Sequence, residues 1–266
     1  MKTIPLLLLF WLNIKLALTS KSRSRRFFDI DETPTTKTKI SSRTKVEILS
    51  KPKKTTSVLI KVKPKKSIPS VLSNKIDLKL KRSNIISMEI TKDDYYILVN
   101  DTNVELITLN HEAFIVDAPQ GRNLEEAVDW GVTEVLQDLT FWESLPTPNS
   151  EMKICVCDTG YNLGHSDLPS GTDVTGFNNP SVDEDWSYDG NGHGTHVAGI
   201  IAALANDIGT RGVISDNKGG KFQLIIAKTF SASGLGDVAS ILYSVEECVA
   251  QGMFYIFINL AFIKFV

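Results

Sequence analysis

The sequence predicts an α/β domain with a parallel sheet in the second half of the chain, preceded by a small α+β unit. Residues 152–157 are an almost unbroken apolar run, which is typical of a strand buried on both faces of a parallel sheet. Residues 193–203 are rich in small side chains and read as a helix that can pack closely on such a sheet. Residues 56–110 instead alternate short strand and helix signals. We therefore expect two structural units of different class.

The α+β unit is predicted element by element. Alternating apolar residues indicate strands over residues 57–62, 75–80, 85–90 and 103–109. Pro69 favours the first turn of a short helix over residues 67–73. Thr91 is a suitable N-cap for a helix that runs to residue 99, with Asp93 and Asp94 in its first turn. The resulting β-α-β-β-α-β order is ferredoxin-like.

Charge divides the chain in a similar way. Residues 21–82 hold 19 Lys and Arg and 5 Asp and Glu, which gives a net charge of +14. Residues 120–252 hold 6 Lys and Arg and 19 Asp and Glu, which gives a net charge of −13. A nucleic-acid arm would give this split, and so would a basic segment that lies near its own acidic domain. Residues 21–55 are poor in large apolar groups, which predicts a disordered basic linker. The basic run at residues 23–26 is either a solvated segment or a dibasic processing site, and without interleaved aromatics it does not indicate nucleic acid.

The first 20 residues are typical of a secretory signal peptide. Lys2 precedes an apolar stretch over residues 4–18 that is shorter than a membrane span. We therefore expect a secreted, extracellular protein that is not in the membrane, with an uncleaved anchor as the alternative. The three cysteines give no readable disulfide framework. Cys155 and Cys157 share one face of the predicted strand and are expected to act as small core residues.

Two residues are candidates for catalysis. Asp158 follows the predicted strand, and functional groups gather at the carboxyl ends of parallel strands, although an Asp there is often only a cap or turn residue. His193 opens the small-residue helix, where the helix dipole disfavours imidazolium and so suits a neutral general base. A zinc pair with His196 is not expected, because the spacing is three and no Glu follows the first His.

The segments "CVCDTGYNLGHSDLP" and "DGNGHGTHVAGIIAA" resemble the aspartate and histidine signatures of the subtilisin (peptidase S8) family. This resemblance covers residues 124–252. It implies a subtilisin-like three-layer sheet and a serine endopeptidase, a hydrolase that acts on protein or peptide substrates. Asp158 would orient His193, which would carry the proton between serine and leaving amine.

The resemblance further implies a zymogen. Residues 56–110 would be an inhibitor-type pro-domain that acts on its own chain, joined through a linker at residues 111–123. We expect a monomer that needs no cofactor for catalysis.

The resemblance also implies a structural Ca²⁺ site, with a surface turn as the alternative. Its ligands would be Asp167, Leu204, Asn206, Ile208 and Thr210. His196 is expected to pack within its helix. Residues 222–229 would form the next core strand, and residues 236–251 a helix with one apolar face.

The chain then departs from the family pattern. Residues 253–266 read "MFYIFINLAFIKFV" and are expected to be an apolar tail outside the domain. The Gly-Thr pairs that begin at Gly171, Gly194 and Gly209 are not followed by the Ser of a "GTS" segment. We therefore expect this chain to lack the nucleophile, to be inactive by itself, and to be a fragment from an incomplete gene model or a truncated splice form.

Two other functions remain open. A secreted non-catalytic inhibitor or pseudoenzyme would act through residues 56–110. A basic surface-binding protein would act through residues 21–82.

Overall fold

The computed structural model describes residues 38–50, 54–115, 131–132, 152–214, 222–253, 255–259 and 262–263. The predicted signal peptide, the basic run at residues 23–26 and most of residues 116–151 lie outside these ranges. None of the helices in the described ranges is both long enough and apolar enough to cross a bilayer.

The first unit is a five-stranded sheet covered by helices. Its elements are β1 (Lys39–Ile40), α1 (Ser42–Ser50), β2 (Thr56–Val62), a 3₁₀ helix (Ser70–Lys75), β3 (Ile76–Leu80), β4 (Ile85–Ile90), α2 (Lys92–Val99) and β5 (Val104–Leu109). The strand order is β1-β5-β2-β4-β3. The pairs β5–β2, β2–β4 and β4–β3 are antiparallel, as in a β-α-β-β-α-β unit, and β1 is parallel to β5.

Two predictions for this unit were wrong. Disorder was expected over residues 21–55, but within the described residues 38–50 β1 and α1 form, because Ile40 and Ile48 are buried in the core of the unit, with 6% and 1% of their surface exposed. The helix expected at residues 67–73 is a 3₁₀ helix instead. Pro69 precedes it with a ψ of 137°, and only six residues remain before β3.

Helix α2 begins as predicted, at a capping box. The Thr91 hydroxyl accepts the Asp94 N–H at 3.3 Å, and the Asp94 carboxylate accepts the Thr91 N–H at 2.8 Å. Lys75 Nζ lies 2.6 Å from the same carboxylate. Burial works against ionisation of Asp94, but these hydrogen bonds and the lysine lower its pKa overall.

The second unit is a parallel sheet between helices, as the sequence predicted. Its main elements are β7 (Met152–Asp158), a 3₁₀ helix (Gly171–Asp173), β8 (Val174–Asn178), α3 (His193–Ala202), β9 (Phe222–Lys228), α4 (Val238–Ala250) and β11 (Tyr255–Ile258). The strand order is β11-β7-β9-β8, with every neighbour parallel. One face of the sheet packs on α3 and the other on α4, which gives three layers.

The cysteines lie between the sheet and α4. Cys155 and Cys157 do share one buried face, but Cys155 is disulfide-bonded to Cys248 and is not a free core residue. Cys157 is a buried thiol whose sulfur lies 3.8 Å from Cys248 Sγ. The pairing depends on where α4 crosses the sheet, which cysteine spacing does not reveal.

Part of the apolar tail expected over residues 253–266 belongs to the sheet. Strand β11 pairs with β7 from Tyr255 opposite Ile154 to Ile258 opposite Cys157. An apolar strand here satisfies backbone groups of β7 that would otherwise form an open edge.

Helix α4 packs against both units. Its small buried residues, Ala239, Ser240, Ser244 and Cys248, lie along one side. Val238, Leu242 and Tyr243 pack with Leu59, Leu78 and Leu80 of the first unit. Of the predicted apolar face, Val238 and Leu242 therefore contact the N-terminal sheet, whereas Val249 is exposed.

Candidate active site

Asp158 and His193 are brought together at the carboxyl edge of the parallel sheet. Asp158 is the last residue of β7, and His193 is the first residue of α3. Asp158 Oδ1 lies 2.7 Å from His193 Nδ1, and both residues are buried. The hydrogen bond to Asp158 raises the pKa of His193 more than burial lowers it, and the charges of Asp158 and Asp189 add to the rise. The pair is therefore arranged to fix the imidazole ring and to stabilise its protonated form.

Glycine lets the two elements approach this closely. A Cβ on Gly194 would lie 2.3 Å from Gly160 O and 3.1 Å from Asp158 Cβ. Gly192 caps α3 with a φ of +92°, a left-handed conformation that favours glycine. The small residues of "GNGHG" thus place His193 against the end of β7.

Asp189 is a second acidic group at the site. Its carboxylate accepts hydrogen bonds from residues on both sides of the dyad, Thr159 and Thr195 among them. The run Asp189-Gly190-Asn191-Gly192 indicates only a turn, so the sequence does not predict this role. One signal for this role was available. Asp189 is an acidic residue shortly before a helix whose N-cap residue, Gly192, has no side chain that could cap it.

Lys228 is also part of the site and was not predicted. It ends β9 opposite Asp158 and is fully buried. Its Nζ donates to Thr159 O at 2.5 Å and to Tyr188 O at 2.9 Å, and it lies 2.7 Å from Glu184 Oε2. Glu184 in turn accepts the N–H of Ala232 at 3.1 Å. A lysine that ends an apolar strand was the signal in the sequence.

An extended segment of the same chain occupies the groove between two strands that lie near the dyad. Strand β6 (Glu112–Phe114) lies between β10 (Leu235–Asp237) and β12 (Phe262–Ile263) and is antiparallel to both. Ile115 then donates its N–H to Gly234 O at 3.2 Å.

The β10 side of this groove lies close to the dyad. Gly234 lies beside Asn191, two residues before His193, and a Cβ on Gly234 would be 3.6 Å from Asn191 Nδ2. A strand that pairs on both edges in this way is a common mode of peptide recognition.

The residues predicted for Ca²⁺ also come together, at the other end of α3. Asp167 O accepts the N–H of Leu204, and Asp167 Oδ2 accepts the N–H of Thr210, both at 2.9 Å. Asn206 Nδ2 donates to Ser166 O at 3.1 Å, and Asn206 Oδ1 accepts the N–H of Ile208 at 3.2 Å.

Asp167 Oδ1 is buried and has no hydrogen-bond partner in the part of the chain that the structure describes. Burial raises the pKa of Asp167, and the hydrogen bond from Thr210 opposes the rise. A buried, unpartnered carboxylate oxygen fits a cation site.

His196 does not pack within its helix as expected. It is exposed, as is Ile200 one turn later, while His193, Val197 and Ile201 are buried. Residues 196 and 200 are four apart and therefore share the solvent side of α3.

Comparisons with known proteins agree with this geometry. Residues 149–256 match the model of the Peptidase_S8 subtilase family. M-protease of Shouchella clausii is 32% identical over 169 residues, which are 64% of this chain and 39% of the relative. Subtilisin Savinase of Lederbergia lenta is 38% identical over 128 residues, 48% of this chain and 43% of the relative. The chain thus spans about two fifths of the length of the curated relatives that it matches.

A solved structure shows the same fold. The epidermin leader peptide processing serine protease of Staphylococcus aureus superposes with a TM-score of 0.62 at 18% identity, over 78% of this chain and 50% of that chain. Two long sequence signatures, a three-layer parallel sheet and a buried Asp–His pair at its carboxyl edge all coincide with the family match. Residues 149–256 are therefore similar to the subtilase family in sequence.

Proposed function

We propose that this chain is part of a serine-type endopeptidase that hydrolyses peptide bonds in protein substrates. The 2.7 Å contact between Asp158 and His193 supports this most directly. His193 would take the proton of a serine hydroxyl as that oxygen attacks the carbonyl, and would then give it to the leaving amine. Asp158 would hold the ring and stabilise the imidazolium. No "GTS" segment follows in the 266 residues, so the serine would belong to sequence beyond them.

Sequencing the transcript past the codon for Val266, and expressing whatever longer product it encodes, tests this proposal. The longer protein should cleave a peptide substrate, and His193→Ala should lower the rate by about 10⁴-fold or more. His196→Ala is the matched control, because it removes an exposed histidine from the same helix. The 266-residue chain should show no hydrolysis. Activity that survives His193→Ala would refute the assignment.

We also propose that the first unit acts as an inhibitor within its own chain. β6 lies in the groove between β10 and β12, whose β10 side is close to the dyad, and helix α4 packs on the sheet of the first unit. A peptide of residues 108–118 should compete with substrate in the longer protein. Ala113 is fully buried in the groove, so Ala113→Arg should raise the activity of the unprocessed form, whereas Glu112→Gln at the exposed neighbour should not. Equal activity of the two variants would remove this proposal.

A structural Ca²⁺ ion is proposed beside Asp167. The Asp167 carboxylate, the Asn206 amide oxygen and the backbone oxygens of Leu204, Ile208 and Thr210 would hold it, and such a cation would stabilise the loop after α3. Added Ca²⁺ at about 100 times its Kd should stabilise the chain by about 2.7 kcal/mol. Asp167→Asn should abolish this gain in thermal unfolding, while Asp173→Asn at an exposed site should retain it. A gain that persists in Asp167→Asn would place the ion elsewhere.

Secretion is proposed as well. The signal-like residues 1–20 and the Cys155–Cys248 disulfide both fit an oxidising compartment. Recovery of the protein from culture medium, with an N-terminus near residue 21, is the expected result. Retention of residues 1–20 in a cell-bound product would contradict it.

A further inference from the structure

The carboxylate of Asp189 accepts five hydrogen bonds around the dyad. Oδ1 accepts from Thr159 Oγ1 at 2.8 Å, Gly192 N at 2.9 Å and Asn191 N at 3.3 Å. Oδ2 accepts from Thr195 Oγ1 at 2.6 Å and Thr195 N at 2.8 Å. All five partners are donors, so the site requires an acceptor at both oxygens.

These bonds connect the two elements that carry the dyad. Thr159 directly follows Asp158, and Gly192 and Thr195 lie on either side of His193. The Thr159 hydroxyl also accepts the N–H of Gly194 at 3.0 Å. A closed path therefore runs from Asp158 through Thr159, Asp189 and the first turn of α3 to His193, and returns to Asp158 across the 2.7 Å contact.

Asp189 also contributes charge. Burial opposes its ionisation, but the bonds from Thr195, Gly192 and Thr159 lower its pKa overall. It is therefore a carboxylate at neutral pH and stabilises a positive charge on His193, together with Asp158. Asparagine is a poor substitute, because it has one acceptor oxygen and its amide N–H₂ would face a donor.

We propose that Asp189 is a positioning residue that fixes the end of β7 against the first turn of α3 and so holds the Asp158–His193 hydrogen bond at its short distance. The proposal rests on the proposed function, because it assigns a role at the same dyad. It extends that function by adding a second carboxylate that does not touch the imidazole ring.

The test is NMR titration of the histidine imidazoles in the full chain, with ¹⁵N label and His193→Ala to assign the signal. The unmodified chain should show a slowly exchanging Nδ1–H for His193. Asp189→Asn should lower the pKa of His193, because the carboxylate charge that helps to raise it is lost, and should speed the exchange of this proton. Asp185→Asn is the matched control, since Asp185 is an exposed acid of the same loop that hydrogen-bonds Ser187.

A second pair of variants separates position from charge and covers the case in which Asp189→Asn does not fold. Thr159→Val removes the hydroxyl that Asp189 holds, and Thr159→Ser keeps it. We expect faster Nδ1–H exchange in Thr159→Val and normal exchange in Thr159→Ser. The positioning role would be overturned if Asp189→Asn gave the same His193 pKa and Nδ1–H exchange rate as Asp185→Asn. It would also be overturned if Thr159→Val gave the same exchange rate as Thr159→Ser. Either result would leave the Asp158–His193 dyad itself unaffected. Absence of the His193 Nδ1–H signal in the unmodified chain would overturn both the dyad and the role of Asp189.

Discussion

Glu246 on helix α4 lies 2.6 Å, through Oε1, from the backbone nitrogen of Ser83, a residue 163 positions earlier in the chain. Its other oxygen accepts the N–H of Arg82 at 3.0 Å. The carboxylate therefore caps the turn between β3 and β4 and joins the first unit to the second.

Glu246→Ala should loosen this turn without unfolding either unit. Two hydrogen bonds to a partly exposed charge contribute about 1 to 2 kcal/mol, so amides of residues 82–90 should exchange about tenfold faster by hydrogen-exchange mass spectrometry. Glu247→Ala, one residue along the same helix, is the control and should leave those amides unchanged. Equal exchange in both variants would show that Glu246 does not hold the turn.

Gly194 and Gly199 make a matched pair within α3. A Cβ at position 194 would meet Gly160 O at 2.3 Å, whereas one at position 199 would have only Leu168 Cδ2 near it, at 3.8 Å. Gly194→Ala should destabilise the chain by about 2 to 3 kcal/mol, because backbone must move. Gly199→Ala should stabilise it by up to about 1 kcal/mol through lower chain entropy. Chemical denaturation measures both, and a stabilising Gly194→Ala would contradict the close approach of Gly194 to the Gly160 carbonyl.

The position of the disulfide predicts which two cysteines are bonded and which one keeps a free thiol. Peptide mapping without reduction should find Cys155 joined to Cys248 and a free Cys157. The sequence separation is 93 residues, so Cys248→Ala should cost about 4 to 5 kcal/mol of unfolding free energy in the chain-entropy account. Cys157→Ala removes a buried sulfur but no covalent link, and should cost clearly less. Detection of a Cys157–Cys248 peptide in the unmodified chain would contradict this assignment.

The capping box of α2 should make the first unit sensitive to acid. The folded-state pKa of Asp94 is lowered from 3.8, so its contribution is fully present above that value and is lost as pH falls through the lower folded-state value. Hydrogen exchange of residues 91–99 should therefore show high protection at pH 5 and a loss below about pH 3.8. Asp94→Asn should remove most of this pH dependence, while Asp93→Asn, an exposed neighbour, should keep it. An unchanged acid response in Asp94→Asn would assign the effect to other carboxyls.

The dyad was predictable because its placement depends on local sequence. A buried strand that ends in Asp158 and a small-residue helix that starts at His193 place both side chains at one edge of a parallel sheet. Strands β2 to β5 and the Thr91 cap were likewise predictable, from alternation and capping chemistry over a few residues.

Contacts distant in sequence were not predictable in the same way. Helix α1 is stabilised by the burial of Ile48 in a sheet formed by later residues, and the partner of Cys155 is on a helix 93 positions away. Asp189 and Lys228 looked like a turn residue and a strand end, and only the folded chain places their charges beside Thr159. Polar networks of this kind join segments whose proximity has no local sequence signal.

The position of β6 has a consequence for competition. Because β6 is tethered to the groove that it fills, it acts there at an effective concentration in the millimolar range. A free peptide of equal intrinsic affinity, with a Kd of about 10 μM, would then bind with an apparent Kd of about 1 mM, roughly a hundredfold weaker. If the covalent connection between β6 and the groove were cut, every contact would stay the same but the binding would become bimolecular. The protein concentration would then determine whether β6 occupies the groove.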